Sequence, residues 1–98
     1  MRIALAFIIL LAVVGQSKAK TIRVGKDRPY KSIKSALEIA QKWDTVLVEN
    51  GTYTEGNINI YKSIVFMGEG MPILDGSRKF EVLSIRANNV VVRGFKIQ

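Results

Sequence analysis

The sequence contains no cysteine and no histidine among its 98 residues, and it has only two prolines. Without cysteine, the chain cannot form a disulfide, carry a lipoprotein thiol or build a thiolate metal site. Without histidine, it also lacks the commonest metal ligand and general base, so a classical zinc site or a Ser-His-Asp triad is impossible within it. The length allows at most one small domain.

Acidic residues are also scarce, with 8 Asp plus Glu against 15 Lys plus Arg and a formal charge of +7. An excess of positive charge can attract an acidic polysaccharide, an anionic membrane surface or an acidic protein. The basic residues are not interleaved with aromatic residues that would stack on bases, so nucleic acid is not expected as a partner. Six of them lie close together: Lys20, Arg23, Lys26, Arg28, Lys31 and Lys34.

The first 19 residues have the pattern of a secretory signal peptide. Arg2 precedes an apolar run, Ile3–Val14, and the small residues Ser17 and Ala19 suit a cleavage site after Ala19. An uncleaved membrane anchor is the alternative, but this run is shorter than the roughly 20 residues that a spanning helix needs. We therefore expect a periplasmic or secreted protein of residues 20–98, whose formal charge falls to +5 because two basic residues are removed.

Short apolar runs bounded by Gly, Asn, Asp or Ser dominate the rest of the chain, which is typical of short strands joined by tight turns. One segment differs, because residues 32–43 place apolar side chains at helical spacing and begin with Ser32, a suitable N-cap. The strand-like runs are residues 21–24, 45–48, 58–60, 64–67, 73–74, 82–85, 90–92 and 95–97. The apolar face of the expected helix consists of Ile33, Ala36, Leu37, Ala40 and Trp43.

Two of these strand-rich segments repeat each other at an offset of 25 to 26 residues. The alignment places Ile60 over Ile85, Phe66 over Val92 and Gly68 over Gly94. Such a period indicates stacked units that cannot bury their apolar faces alone. The sequence therefore predicts a mainly β protein, a right-handed parallel β-helix, with Asn88-Asn89 at a corner. A small α+β domain or a β-sandwich remains the alternative, since Asn50-Gly51 could form a hairpin turn.

The expected helix has a place in this architecture, because a solenoid needs a polar cap over its apolar end. We expect residues 20–56 to form an N-terminal cap and residues 57–98 to form the first coils of the β-helix. The chain reaches Gln98 within an expected strand. The β-helix is therefore expected to be C-terminally incomplete, as in an N-terminal fragment of a longer protein.

Four segments carry a resemblance to a known family. They are Asp44–Glu55 (D-T-V-x-V-x-x-G-x-Y-x-E), Ile58–Gly70 (I-x-I-x-K-S-I-x-F-x-G-x-G), Leu74–Gly76 (L-D-G) and Val90–Ile97 (V-x-V-x-G-F-x-I). In this order the chain resembles periplasmic, pectin-lyase-like right-handed β-helix proteins of the nitrous oxide reductase maturation family. Trp43 departs from the family, which usually has Gly there, and we expect it to pack over the first coil.

The resemblance implies a non-catalytic accessory protein that assists assembly of the copper site of nitrous oxide reductase. Its implied partners are membrane ABC-transporter subunits and the periplasmic metalloenzyme. No cofactor is implied within this chain, although the full-length protein would handle copper. Because related β-helices also act on sugars, a carbohydrate-binding or polysaccharide-cleaving protein is the alternative.

Few residues qualify as site residues. Met67 and Met71 are four residues apart and flank a glycine-containing turn, so their thioethers are candidate ligands for Cu(I), although such sites usually have three or more soft ligands. For a lyase, Glu69 and Asp75 could approach each other across one corner with Arg78 nearby. Both acids also suit ordinary turn positions. We therefore expect no catalytic residue in these 98 residues.

Overall fold

A computed structural model of the chain describes residues 18–79 and 81–98, and the expected signal peptide lies almost entirely outside the described residues. The segments predicted from apolar patterning form strands and one helix, α1. The strands are β1 (Thr21–Val24), β2 (Thr45–Val48), β3 (Thr52–Tyr53), β4 (Ile58–Ile60), β5 (Val65–Gly68), β6 (Ile73–Leu74), β7 (Leu83–Ile85), β8 (Val91–Arg93) and β9 (Lys96–Ile97), and α1 is Ile33–Ile39.

The strands form three sheets, and every pairing among them is parallel. Sheet A has the order β1-β2-β5-β8, sheet B has β3-β6-β9, and sheet C has β4-β7. The chain visits sheets A, B and C in turn and returns to A, so each circuit is one coil of a solenoid with about three turns. This arrangement confirms the predicted parallel β-helix and excludes the β-sandwich, which requires antiparallel sheets.

The predicted stacking of the two repeats is confirmed residue by residue. Ile60 pairs with Ile85 in sheet C, and Phe66 pairs with Val92 in sheet A. A β-carbon added to Gly68 would lie 2.3 Å from the carbonyl oxygen of Gly94, so these two backbones touch. Glycine is therefore required where coil two crosses coil three.

Alternating side chains of each strand point into the solenoid and form its core. Ile22, Val46 and Phe66 form one row across sheet A, and Phe66 stacks on the ring of Phe95 with centroids 4.5 Å apart. Full burial of a side chain such as Phe66 stabilises the fold by about 1.5–3 kcal/mol. Parallel coils thus share one continuous apolar interior. The buried members are Ile22, Val24, Ile33, Ala36, Ala40, Val46, Val48, Ile58, Ile60, Ile64, Phe66 and Leu74.

Several corners between sheets use residues in the left-handed backbone region. Asn89 has φ +54°, which confirms the expected corner at Asn88-Asn89, and Asn57 has φ +50° before β4. Asparagine tolerates this conformation better than most residues. Met71 also has a positive φ, of +57°, at the corner between β5 and β6.

Helix α1 lies over the N-terminal end of the coils, packing against β1, β2 and β4, as a cap is expected to. Ser32 is its N-cap, because its hydroxyl accepts a hydrogen bond from the Ser35 amide at 3.2 Å. The helix is shorter than predicted, ending at Ile39, since Ala40 has an extended ψ of 144°. No helix in the described part of the chain is long and apolar enough to cross a membrane.

The prediction that Trp43 packs over the first coil is wrong. Its side chain is 54% exposed, and the Lys42 ammonium lies 4.9 Å from its ring centroid. Trp43 has φ +75°, a left-handed conformation that directs the chain from α1 into β2. That conformation explains why glycine suits this position and removes Trp43 from the buried face of the helix.

Candidate functional site

A groove of about 380 Å³ lies between helix α1 and strand β4. Its floor is apolar because Ile60 and Ile64 are buried members of the core. Polar side chains of both elements form its walls. The lining residues are Lys34, Leu37, Glu38 and Ala40 from the helical side, and Asn57, Asn59, Ile60, Tyr61, Lys62 and Ile64 from the strand side.

One wall of the groove is an open strand edge. The Ile58 amide donates to Val82 O at 3.1 Å, and Ile60 O accepts from the Arg86 amide at 2.8 Å, so both residues bond to β7. Since parallel pairing alternates along a strand, the N–H and C=O of Asn59 between them point to the opposite edge, toward α1. Within the described residues β4 has no strand on that side, so these two groups can bond to a ligand.

The side chains of the groove combine an aromatic ring, amides and a cation. Tyr61 is 66% exposed, whereas the Asn59 amide is fixed by donating to Asn57 O at 3.0 Å and accepting from Arg86 Nε at 3.2 Å. Lys62 closes one end, since its ammonium donates to the carbonyl oxygens of Glu38 and Ala40 at the end of the helix. Such a mixture of apolar floor and few oriented polar groups is typical of small-ligand sites.

The acids of the Asp44–Glu55 segment hold the cap in place. Asp44 is 2% exposed and accepts from the backbone amides of Lys20 and Gln41, both at 2.9 Å. Glu55 accepts from the amides of Ile33 at 2.6 Å and Lys34 at 3.0 Å, which are two free donors at the start of α1. These carboxylates are therefore structural.

A second acidic residue of that segment, Glu49, joins the basic N-terminal stretch to sheet A. Its carboxylate accepts from Arg28 Nε at 2.7 Å and from Arg23 Nη2 at 3.2 Å. The hydrogen bond from Arg28, followed by that from Arg23, holds the pKa of Glu49 below its ordinary value. The Tyr53 hydroxyl donates to Glu49 O at 2.8 Å, and burial raises the pKa of Tyr53.

The acids considered for a lyase do not share one arrangement. Glu69 reaches Arg23, with an oxygen 3.3 Å from Nη2, whereas Asp75 accepts from the Ser77 amide at 2.8 Å within a turn. Asp75 and Arg78 line one hollow of the surface, and Glu69 does not belong to it. Among the described residues, no three His, Cys, Asp or Glu side chains come together as a metal site.

The two candidate thioether ligands lie on the outside of the coil. Met67, in β5, is registered between Leu47 and Arg93, and the Arg93 guanidinium lies 3.7 Å from its sulfur. Met71, at the following corner, is 58% exposed. The chain has no cysteine or histidine to complete a Cu(I) site, and a guanidinium beside Met67 opposes cation binding. These residues alone do not fit a bound copper ion, and their role as ligands stays a prediction.

Sequence reasoning did not find the groove, although parts of it were visible. Tyr61 follows an alternating strand and Lys62 precedes a corner, but the helix that faces them is more than 20 residues earlier in the chain. Only the docking of α1 against β4 brings the two walls together. Comparison of the chain with protein-family models, curated proteins and solved structures gives no match.

Proposed function

We propose that the chain is a non-catalytic accessory β-helix protein of the nitrous oxide reductase maturation type, acting in the periplasm. The supporting observation is that each resembling segment has a structural role in the order expected. Asp44 and Glu55 anchor the cap, Ile58–Gly70 supplies paired strands of two sheets, and Val90–Ile97 stacks on them. A parallel β-helix provides rigid sheet faces rather than mobile catalytic loops, which suits a protein that binds partners.

In this role the protein works with membrane ABC-transporter subunits and with the metalloenzyme, and copper is its cargo rather than its cofactor. The basic N-terminal stretch is the candidate partner surface. Lys26 and Lys31 are exposed there, while Arg23 and Arg28 are partly neutralised by Glu49. Exposed positive charge accelerates association with an acidic partner and makes it sensitive to salt.

Deletion of the gene in a host that makes nitrous oxide reductase tests this proposal. We expect the purified reductase to lack the absorption spectrum of its copper site, and the intact gene to restore it. A gene without the codons for residues 2–19 is the control, because its product stays in the cytoplasm and should not restore the site. A normal copper spectrum in the deletion strain would contradict the proposal.

The copper ligands can be tested separately. If Met67 and Met71 bind Cu(I), the double variant Met67→Leu, Met71→Leu should lose affinity in a competition titration against a Cu(I) chelator. Leucine is similar in volume, so the fold should be retained. Equal affinity of the two proteins would remove both residues from the metal site and leave copper binding to other parts of the full-length protein.

Carbohydrate binding is the second candidate function, and the groove between α1 and β4 favours it. An exposed tyrosine ring presents an apolar face to a sugar ring, and neighbouring amides bond to hydroxyl groups. The Lys34 side chain adds a positive charge that suits an acidic sugar. Cleavage of a polysaccharide is a further step for which the groove offers only Glu38 as a carboxylate.

Calorimetric titration with uronic acid oligosaccharides tests this second function. Tyr61→Ala should weaken binding about tenfold or more, because the loss of a stacked ring costs about 1–3 kcal/mol in analogous aromatic stacking. Trp43→Ala is the matched control, since Trp43 is similarly exposed but does not line the groove. Equal loss in both variants, or no binding by the unchanged protein, would exclude the groove, and unsaturated products would indicate a lyase.

A further inference from the structure

Asp44 is the buried charged residue among the described residues, and it lies at the junction of the cap with sheet A. It follows the turn after α1 and immediately precedes β2. Its side chain is surrounded by the end of the helix on one side and by the start of β1 on the other, through bonds to Gln41 and Lys20. Transfer of a carboxylate out of water is unfavourable unless the charge is compensated.

The compensation that the structure provides consists of amide dipoles rather than a positive charge. Oδ1 accepts from the Lys20 amide and Oδ2 from the Gln41 amide, both at 2.9 Å. Burial alone would raise the pKa of Asp44, but these two donors, with the charges of Lys20 and Lys62, hold it below its ordinary value. No ammonium or guanidinium nitrogen of the described residues forms a salt bridge with Asp44. The carboxylate thus remains ionised without an ion-pair partner.

The donor on Oδ1 belongs to the residue that follows the expected cleavage site. Lys20 is also held on its carbonyl side, where its oxygen accepts from the Thr45 amide at 2.9 Å. Lys18 and Ala19 are exposed and precede the first strand, so their removal takes no side chain from the core. The ordered fold therefore begins at Lys20, with its nitrogen directed at a buried carboxylate.

We propose that cleavage by a signal peptidase after Ala19 creates the ion-pair partner of Asp44. In this hydrolysis, water breaks the Ala19–Lys20 peptide bond, its oxygen joins the Ala19 carboxylate, and the Lys20 nitrogen leaves as an amine. The amine takes a proton from water near neutral pH and becomes an α-ammonium group. The same atom that donated as an amide then donates to Asp44 as a cation. The inference rests on the export proposed above.

The expected consequence is that removal of the leader strengthens the attachment of β1 to the coils. A charge-assisted hydrogen bond is roughly twice as strong as a neutral one. The Asp44 carboxylate raises the pKa of the ammonium group, while the ammonium side chains of Lys20 and Lys62 oppose the rise. We expect a pKa about one unit above the usual 7.7–8.0 of an α-amino group.

The position of the cut is tested by expressing the full chain with its leader in a bacterium and measuring the intact mass of the exported product. We expect a product that begins at Lys20. Ala19→Leu should block this cut, because the cleavage site accepts small residues, whereas the matched control Ala19→Ser should be cut normally. A cytoplasmic, uncut product would contradict the export, and a cut elsewhere would overturn this inference while leaving the export intact.

The ion pair is tested by comparing the exported protein that begins at Lys20 with one that retains Ala19 as its first residue. NMR titration of the α-amino group should give the raised pKa only in the first protein. Its melting temperature should be higher at pH 7, because a raised pKa stabilises the fold below the unfolded pKa and this stabilisation is lost as pH rises through the folded pKa. The difference should therefore disappear near pH 11.

Asp44→Asn provides the matched control, since the amide keeps a similar shape and removes the charge. In this variant the α-amino pKa should return to its usual value, and the extra Ala19 should no longer change the melting temperature. If the variant does not fold, the pH dependence of the two unchanged chains still decides the matter. Identical α-amino pKa values in the Lys20 and Ala19 chains would overturn the ion pair even when the cut is confirmed.

Discussion

At the scale of single residues, the acids of this chain illustrate how a functional pattern can prove to be structural. The sequence shows that Asp44, Glu49 and Glu55 lie near apolar strands, but it does not show their donors. Those donors come from 21 to 26 residues earlier in the chain. Pairings over such distances follow from coil stacking, so the roles could not be predicted from local spacing.

The Glu49→Gln variant tests the ion pairs at this scale. Because the pKa of Glu49 is lowered in the folded state, its charge stabilises the protein above its ordinary pKa of 4.5, and this stabilisation is lost as pH falls through the folded value. We expect the variant to melt at a lower temperature than the unchanged protein at pH 7. The two should converge near pH 2, where Glu49 is protonated. Glu81→Gln, at an exposed acid, is the control, and a constant difference at both pH values would contradict the assignment.

Gly94→Ala tests the close approach of two coils. Gly94 has φ +83°, and a β-carbon there would lie 2.5 Å from Gly68 O. The strained backbone and the clash together should destabilise the fold by about 2–4 kcal/mol. Gly70→Ala is the matched control, because it shares a positive φ of +75° but would meet only the Asn50 side chain, at 3.2 Å. Urea unfolding measures both, and equal losses would show that strain alone matters.

At the scale of elements, helix α1 was located correctly from the spacing of its apolar residues, but its end was not. The face that includes Ile33, Ala36 and Ala40 is buried, as expected. The turn at Trp43 is set by the entry into β2, which requires a left-handed residue there. Tertiary geometry therefore overrides the helical spacing after Ile39, and no local signal marks that point.

The attachment of α1 provides a prediction at this scale. Glu55 satisfies two amides at the helix start, whereas the Ser32 hydroxyl satisfies one. Glu55→Ala should therefore cost about 1.5–3 kcal/mol and Ser32→Ala about 1 kcal/mol. Hydrogen exchange should show faster opening of the Ile33 and Lys34 amides in Glu55→Ala, with little change at β5. A smaller effect for Glu55→Ala than for Ser32→Ala would contradict the clamp.

At the scale of the whole molecule, the solenoid form and the stacking of coils two and three were predicted from the repeat. Sheet B was less visible, because β3, β6 and β9 have only two residues each. The first coil also escaped the repeat, since Thr45 pairs with Val65 at an offset of 20 residues whereas Val65 pairs with Val91 at 26. Pairs of similar offset can be aligned by eye, and unequal ones cannot.

The last coil has apolar exposure that predicts self-association. Ile85 is 50% exposed and Ile97 is 53% exposed, beside the open edges of β7, β8 and β9 in the described chain. We expect the 98-residue chain to associate or to fold poorly, with association increasing as salt screens the neighbouring basic residues Arg86, Arg93 and Lys96.

Sedimentation at several protein and salt concentrations measures this association. Ile97→Lys should shift the protein toward monomer, because it places a charge on the open edge. Ile39→Lys is the matched control, since Ile39 is 40% exposed on the helix, away from that edge. A monomer with one cooperative melting transition for residues 20–98 would contradict the prediction.

The unequal coil lengths have a consequence for how such a protein can change in evolution. Paired rungs keep their register although the connecting corners differ by up to six residues. Insertions and deletions can therefore accumulate at corners such as residues 76–79 or 86–89 without moving a buried side chain. The rungs preserve the ancestry of the molecule, while the corners are the places where new recognition loops can arise.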